Sequence, residues 1–305
     1  MSQFIPDESQ FGALEGKVVV VTGGAQGIGA ALVKGLHQLG ALVIFGDIST
    51  NHSQALLKSL GNPKDVTFVE ADLATYGGNY KLFKVAFEKY KRVDHAIANA
   101  ALFEQTDRPW IDAKLTVDTV SDEALARNHN KLFDLNVYGL CVFARMAVVF
   151  LRENRGPSED KSLTLFGSVC NVRDSPGAYV YQTTKAAVLG LLRSMRGPVF
   201  EDFGIRTNSV CPGVTQTPMT WRVFERIKAK GLSYQQPEDV VRMTLGVLTQ
   251  TSWNGKSIYC EAGTAWEFEE SLDGSMSIWL GEKPTEMLRR NAEYVNTGAL
   301  LRTED

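Results

Sequence analysis

The run Lys17-Val18-Val19-Val20-Val21 leads straight into Thr22-Gly23-Gly24-Ala25-Gln26-Gly27-Ile28-Gly29, and this junction constrains the fold more than any other stretch. A β-branched run of this kind reads as a strand. Beyond the glycines, Leu32, Val33, Leu36 and Leu39 share one helical face, and Gly40 supplies the stop. A glycine-rich turn between strand and helix lets backbone approach a pyrophosphate, whose charge then sits at the helix N-terminus. A plain tight turn is the alternative; the flanking strand and helix count against it. The spacing is Thr-Gly-x-x-x-Gly-x-Gly, distinct from the commoner Gly-x-Gly-x-x-Gly.

A second strand, Ala41 to Gly46, ends at Asp47, eighteen residues beyond Gly29. A carboxylate there can accept from the adenosine ribose hydroxyls of NAD and repel the 2′-phosphate of NADP. Neither the turn nor the residues just after Asp47 contain Arg or Lys, so NAD is the expected cofactor. A loop Asp solvating a strand end fits the residue taken alone.

The strand and helix rhythm then continues. Val66 to Glu70 reads as a strand leading to Asp72, and Tyr80 to Tyr90 as a helix. Val93 to Ala98 is an apolar strand ending at Asn99-Ala100-Ala101, and Asp122 to Glu153 is mostly helical and carries Asn136. Ser162 to Gly167 and Arg206 to Val210 read as strands, Pro237 to Thr249 as a helix, and Ser257 to Cys260 as the last strand. Such alternation predicts a single α/β domain of Rossmann type, a doubly wound parallel sheet with right-handed crossovers. Residues 1–15 read as an N-terminal arm, 16–263 as the dinucleotide-binding catalytic domain, and 264–305 as an extension packed on it.

The chemistry concentrates between Ser168 and Lys185. Ser168 follows the strand Ser162 to Gly167, at the end where ligands bind in open α/β sheets. After Ser175-Pro176-Gly177, Val180 to Met195 has helical composition, so Tyr181 and Lys185 are stacked one turn apart. A free phenol, with a pKa of about 10, is a poor base near neutrality. An ammonium one turn away is expected to lower that pKa, and Ser168 can hydrogen-bond the same substrate oxygen. Alone, Tyr-x-x-x-Lys also fits a surface pair.

With 305 residues the chain can bury a sizeable core, and a net charge of -3 without a basic run argues against nucleic acid as its partner. Cys141, Cys170, Cys211 and Cys260 are scattered, as expected of reduced, mostly buried thiols in a cytoplasmic protein. His37, His52, His95 and His129 show no metal-ligand spacing, so no metal is expected. The polar, acidic start resembles neither a signal nor a transit peptide, and the apolar run Leu140 to Leu151 is too short to span a bilayer.

In register, Thr22-Gly23-x-x-x-Gly27-x-Gly29, Asp72, Asn99-Ala100-Ala101, Asn136, Ser168, Tyr181-x-x-x-Lys185 and Pro212-Gly213 resemble the classical short-chain dehydrogenase/reductase family, from about Gly16 to Gly263. Within it, the likeness is to the prostaglandin-dehydrogenase type and to fungal secondary-metabolism enzymes. The resemblance implies Tyr181 as acid/base, Ser168 as positioner of substrate and tyrosine, and Lys185 as the group that lowers the tyrosine pKa and holds the nicotinamide ribose. It implies that Asn136 holds a water in a proton relay from Lys185. The cofactor would meet Gly23, Gln26, Gly27, Ile28, Gly29, Asp47, Asp72, Leu73, Asn99, Gly213, Val214 and Thr217. A small-molecule substrate and a homodimer or homotetramer belong to the same expectation, with no membrane partner. The family's Asn-Ala-Gly reads Asn-Ala-Ala here, so Ala101 adds a methyl group near the cofactor.

Two stretches bear on substrate. The segment from Asn99 to Asn136 is long for the family, with extra polar residues between Phe103 and Asp122, and either rims the substrate mouth or is a surface insertion without a role. Met219, Trp221 and Phe224 either form a flap over a bulky apolar alcohol or pack as an ordinary helix. The aromatic tail, with Trp266, Phe268, Trp279 and Leu280, is expected to cover the cleft or a subunit contact. A non-catalytic NAD-binding sensor or scaffold, and an isomerase or cyclase with the same cofactor site, are the alternatives to an oxidoreductase.

Overall fold

The computed structural model describes residues 2–104, 116–120, 129–153 and 159–296. Among them are nine strands: β1 (Ser2–Phe4), β2 (Val18–Thr22), β3 (Leu42–Asp47), β4 (Val66–Glu70), β5 (His95–Ala98), β6 (Lys161–Phe166), β7 (Ile205–Pro212), β8 (Ser257–Glu261) and β9 (Thr264–Glu267). They form one sheet in the order β1-β9-β8-β7-β6-β5-β2-β3-β4. From β8 to β4 every pairing is parallel. Strand β2 lies between β3 and β5, with Val18 opposite Leu42 and Val19 opposite His95. The chain direction across the sheet reverses there, which opens a crevice beyond the strand ends.

The four valines of β2 show why the sheet is covered on both sides. Successive side chains point to opposite faces. Val18 and Val20 pack with Leu82, Phe83, Phe143 and Leu189, whereas Val19 and Val21 pack with Leu32, Leu36 and Val240. The first group belongs to helices α3 (Tyr76–Tyr90), α4 (His129–Arg152) and α5 (Tyr179–Met195). The second belongs to α1 (Gly27–Gln38) and α8 (Pro237–Thr249). Shorter helices complete the layers: α2 (Thr50–Ser59), α6 (Pro198–Phe203), α7 (Trp221–Ala229), α9 (Glu269–Gly274), α10 (Met276–Leu280) and α11 (Glu282–Asn296).

Several expectations are corrected. The predicted doubly wound parallel sheet is present from β8 to β4, but Ser257 to Cys260 is not its last strand. Ala262 and Gly263 both have positive φ, which folds β8 back onto β9 as an antiparallel hairpin. The boundary expected at residue 263 therefore falls within a turn. In the N-terminal arm, residues 1–15, β1 pairs antiparallel with β9, and a 3-10 helix, Glu8–Leu14, follows. Helix α3 starts four residues before the predicted Tyr80, because Thr75 accepts from Gly78 N at 3.0 Å and caps it.

Helix α4 is long and apolar enough to cross a bilayer by length and composition, contrary to the reading of Leu140 to Leu151 alone. Its stripe of Val142, Phe143, Ala144, Met146, Ala147 and Leu151 is nevertheless buried against the sheet. The helix predicted from Asp122 falls outside the described residues up to residue 128, as does most of the Phe103 to Asp122 segment. The thiols are less buried than expected: Cys141 is exposed and Cys170 half-buried.

Candidate active site

The glycine turn closes on backbone, which explains its small residues. Gly23 and Gly27 have φ of +66° and +54°, the left-handed region. A Cβ on Gly29 would stand 1.9 Å from the Gly23 carbonyl oxygen, and one on Gly23 would stand 2.8 Å from Ala100 Cα. Asn99 staples the turn by donating from Nδ2 to the Thr22 and Gly23 carbonyls at 3.0 and 3.1 Å. Thr22 Oγ1 in turn accepts from the backbone of Asn99 and Ala100 at 2.9 and 3.0 Å. The N-terminal turn of α1, with its unpaired amides, faces the crevice this leaves.

That crevice is a cavity of about 1090 Å³. Gly23, Gln26, Gly27, Ile28, Gly29, Asp47, Asp72, Leu73, Asn99, Gly213, Val214 and Thr217 all line it, together with Ser168, Tyr181 and Lys185. Asp47, at the end of β3, accepts from Ala25 N at 3.0 Å and Ser49 N at 2.9 Å. Asp72 accepts from Ala74 N at 3.0 Å. Next to Asp47, His52 Nδ1 lies 2.7 Å from Ser49 Oγ and 3.3 Å from Gln26 Nε2, a cluster with no pattern in the sequence to reveal it.

Asn136 is the expected site residue that does not line the cavity. It sits in a π-helical stretch of α4, Asp134–Gly139, and is buried. Its Oδ1 accepts from Leu102 N at 2.8 Å. Its Nδ2 donates to the Leu102 carbonyl at 2.9 Å and to Thr184 Oγ1 at 3.1 Å. The side chain thus braces the strand end after Asn99 against α5.

Ser168 follows β6 and opens a 3-10 turn, its Oγ accepting from Cys170 N at 3.3 Å. Tyr181 and Lys185 lie one turn apart on α5, both buried. The Lys185 ammonium donates to the Phe166 carbonyl at 2.9 Å and lies 5.6 Å from the centre of the Tyr181 ring. Burial raises the Tyr181 pKa well above the ordinary phenol value, the neighbouring Cys170 acts in the same sense, and a hydrogen bond with Ser168 opposes them. Burial also pulls the Lys185 ammonium down to about 8. Burial thus sets the direction for Tyr181, opposite to the lowering expected from its lysine, while the Lys185 ammonium donates to a carbonyl.

Much of the cavity's apolar lining has no pattern in the sequence. Phe103 lines the cavity and packs on Tyr181 with ring centroids 4.6 Å apart. Val169, Cys170, Pro176, Ala178, Met219 and Val223 line it as well, with Arg173 among them. Of the predicted flap, Met219 alone reaches the cavity. Trp221 is 58% exposed and outside the lining, and Phe224 is buried edge-on against Tyr234. The turn of α7 sends Val223 inward and Trp221 outward. Among the described residues the lining ends at Val223, so the aromatic tail does not cover the cleft. It is tied instead to α5 through Glu269, which pairs with Arg193 and Arg196 at 2.9 and 3.0 Å.

Known proteins similar to this chain include a family, curated relatives and a solved structure. A family model described as short chain dehydrogenase matches residues 17–228. Short chain aldehyde dehydrogenase 1 of Euphorbia lathyris is 32% identical over 247 residues, covering 80% of this chain and 77% of its own. The 5'-hydroxyaverantin dehydrogenase of Dothistroma septosporum is 27% identical over 294 residues, covering 92% of this chain and 94% of its own. Among solved structures, 3-ketoacyl-(acyl-carrier-protein) reductase from Brucella melitensis, complexed with NADH, superposes with a TM-score of 0.69 at 20% identity, covering 82% of this chain and 98% of its own. That likeness is one of fold.

Proposed function

This chain belongs to the short-chain dehydrogenase family of oxidoreductases, and we propose that it moves a hydride between NAD and a bulky, mostly apolar secondary alcohol or ketone, with Tyr181 as acid and base. One observation carries the reading. Tyr181, Ser168 and Lys185 face the same cavity as the glycine turn and Asp47, its lining includes apolar Val169 and Met219, and Phe103 packs on the Tyr181 ring.

A dinucleotide fits the residues present. The turn admits no Cβ at Gly23 or Gly29, so backbone amides can come close to a pyrophosphate. Asp47 offers carboxylate oxygens at the end of β3, where ribose hydroxyls are bound in this architecture. The bound nicotinamide supplies hydride transfer. Every other part belongs to the chain. Ser168 holds the substrate oxygen beside the phenol. Tyr181 as the neutral phenol, the form its burial favours, gives its proton to a carbonyl oxygen, and as the phenolate takes one from an alcohol. Lys185 keeps a cation close by, at a height fixed by the Phe166 carbonyl.

The relatives support an alcohol or carbonyl substrate: 5'-hydroxyaverantin dehydrogenase aligns over nearly its whole length. The testing experiment follows NADH formation with NAD and a panel of large secondary alcohols, and NADH consumption with the matching ketones. Turnover of bulky apolar members supports the proposal. Cofactor binding without any net redox change would favour a sensor, an isomerase or a cyclase.

A further inference from the structure

Helix α5 carries the catalytic pair yet has no local cap. Its N-cap residue is Ala178, whose methyl group accepts nothing. The first amides of a helix have no partner within it, and leaving a buried one unpaired is costly. Here the partner comes from far away in sequence. The carboxylate of Glu104 accepts from Val180 N at 3.1 Å through Oε1 and from Tyr181 N at 3.2 Å through Oε2. Glu104 is only 5% exposed, and His129 Nε2 lies 4.0 Å from Oε1. A buried carboxylate is costly unless hydrogen-bonded, and the positive end of a helix dipole is a favourable place for it.

The residues before Glu104 make the placement more pointed. Leu102 is held through both backbone groups by Asn136, and Phe103 packs on the Tyr181 ring. Three consecutive residues therefore fix a brace, the face of the phenol ring and the amide of the same tyrosine. We infer that Glu104 is a positioning residue for Tyr181, setting the height and tilt of the phenol by holding its backbone amide from outside the helix. Sequence inspection does not find it, because a cap 77 residues away leaves no local pattern.

The inference rests on Tyr181 being the proton-transferring group, so its test includes a readout that needs no substrate. Two variants separate charge from reach. E104Q keeps the shape but turns an NH₂ toward one of the two amides; E104D keeps the charge but ends one methylene short. In both, kcat is expected to fall roughly tenfold to a hundredfold, as for a displaced catalytic group, while the Kd for NAD stays within about twofold. With an isotope label on tyrosine Cζ, the Tyr181 resonance, identified by its loss in Tyr181→Phe, should move in both variants. Those of Tyr234 and Tyr259 should stay in place. An unmoved Tyr181 resonance with unchanged kcat, alongside a lowered melting temperature, would make Glu104 a structural cap alone and overturn the inference. If E104Q does not fold, E104D decides. If the wild-type protein oxidises no alcohol, the oxidoreductase reading fails while the resonance still decides the role of Glu104.

Discussion

The Lys185 ammonium lies 5.6 Å from the centre of the Tyr181 ring and donates to the Phe166 carbonyl at the end of β6. Both side chains are buried, and burial acts on them in the same sense, favouring the uncharged form of each. The resting site is thus a protonated phenol beside a lysine titrating near pH 8. It is ready to give a proton.

Cofactor choice is testable at Asp47. Its carboxylate ends β3 on the cavity wall, where a 2′-phosphate would meet like charge. NAD should exceed NADP in kcat/KM by on the order of tenfold to a hundredfold, the scale of a like-charge clash. Asp47→Ala should narrow that gap from both sides, weakening NAD and relieving NADP. Preference for NADP in the unmodified enzyme would refute the role given to Asp47.

Substrate contact is testable on the stretch before and into α7. Met219 lines the cavity and Trp221 does not. Met219→Ala should raise KM for a bulky apolar alcohol by roughly tenfold, the scale of a few lost methylenes, with the Kd for NAD unchanged. Trp221→Ala should change neither. Sensitivity at Trp221 with indifference at Met219 would contradict this geometry.

Acid stability is testable at His95. This side chain is buried in β5 with Nδ1 2.8 Å from Ser162 Oγ, and burial lowers its pKa to about 4. Between that value and the ordinary 6.5 the unfolded chain binds a proton that the folded chain refuses. The stability His95 contributes is therefore full above pH 6.5 and lost as pH falls toward 4, by roughly 3 kcal/mol for a shift of this size. His95→Asn should flatten the fall in unfolding free energy across that window relative to wild type. Parallel curves would contradict it.

The sequence made some of this plain and hid the rest for physical reasons. The valines of β2, the glycine turn and the one-turn spacing of Tyr181 and Lys185 are local patterns, and local patterns survive in a sequence. Strands β1 and β9 are three and four residues long. They have too little periodicity to be seen, and the Ala262-Gly263 turn between β8 and β9 reads as a domain end. Trp221 and Phe224 look alike as large apolar residues until the phase of α7 separates them. The direction of the Tyr181 pKa is hidden because spacing reveals the neighbouring ammonium but not the burial of the phenol. Glu104 was invisible because its partners lie on another element.

The central claim is that Tyr181 transfers the proton, and Tyr181→Phe tests it most directly. The substitution removes the phenolic oxygen while keeping the ring that packs on Phe103. With an alcohol that the wild-type enzyme oxidises, measured as NADH formation at saturating NAD, kcat should fall by roughly 10²–10⁴-fold, the usual contribution of a positioned acid or base. The Kd for NAD should stay close to wild type, and Tyr179→Phe, at the exposed start of α5, should leave kcat nearly unchanged. A Tyr181→Phe enzyme turning over at close to the wild-type rate would contradict the account.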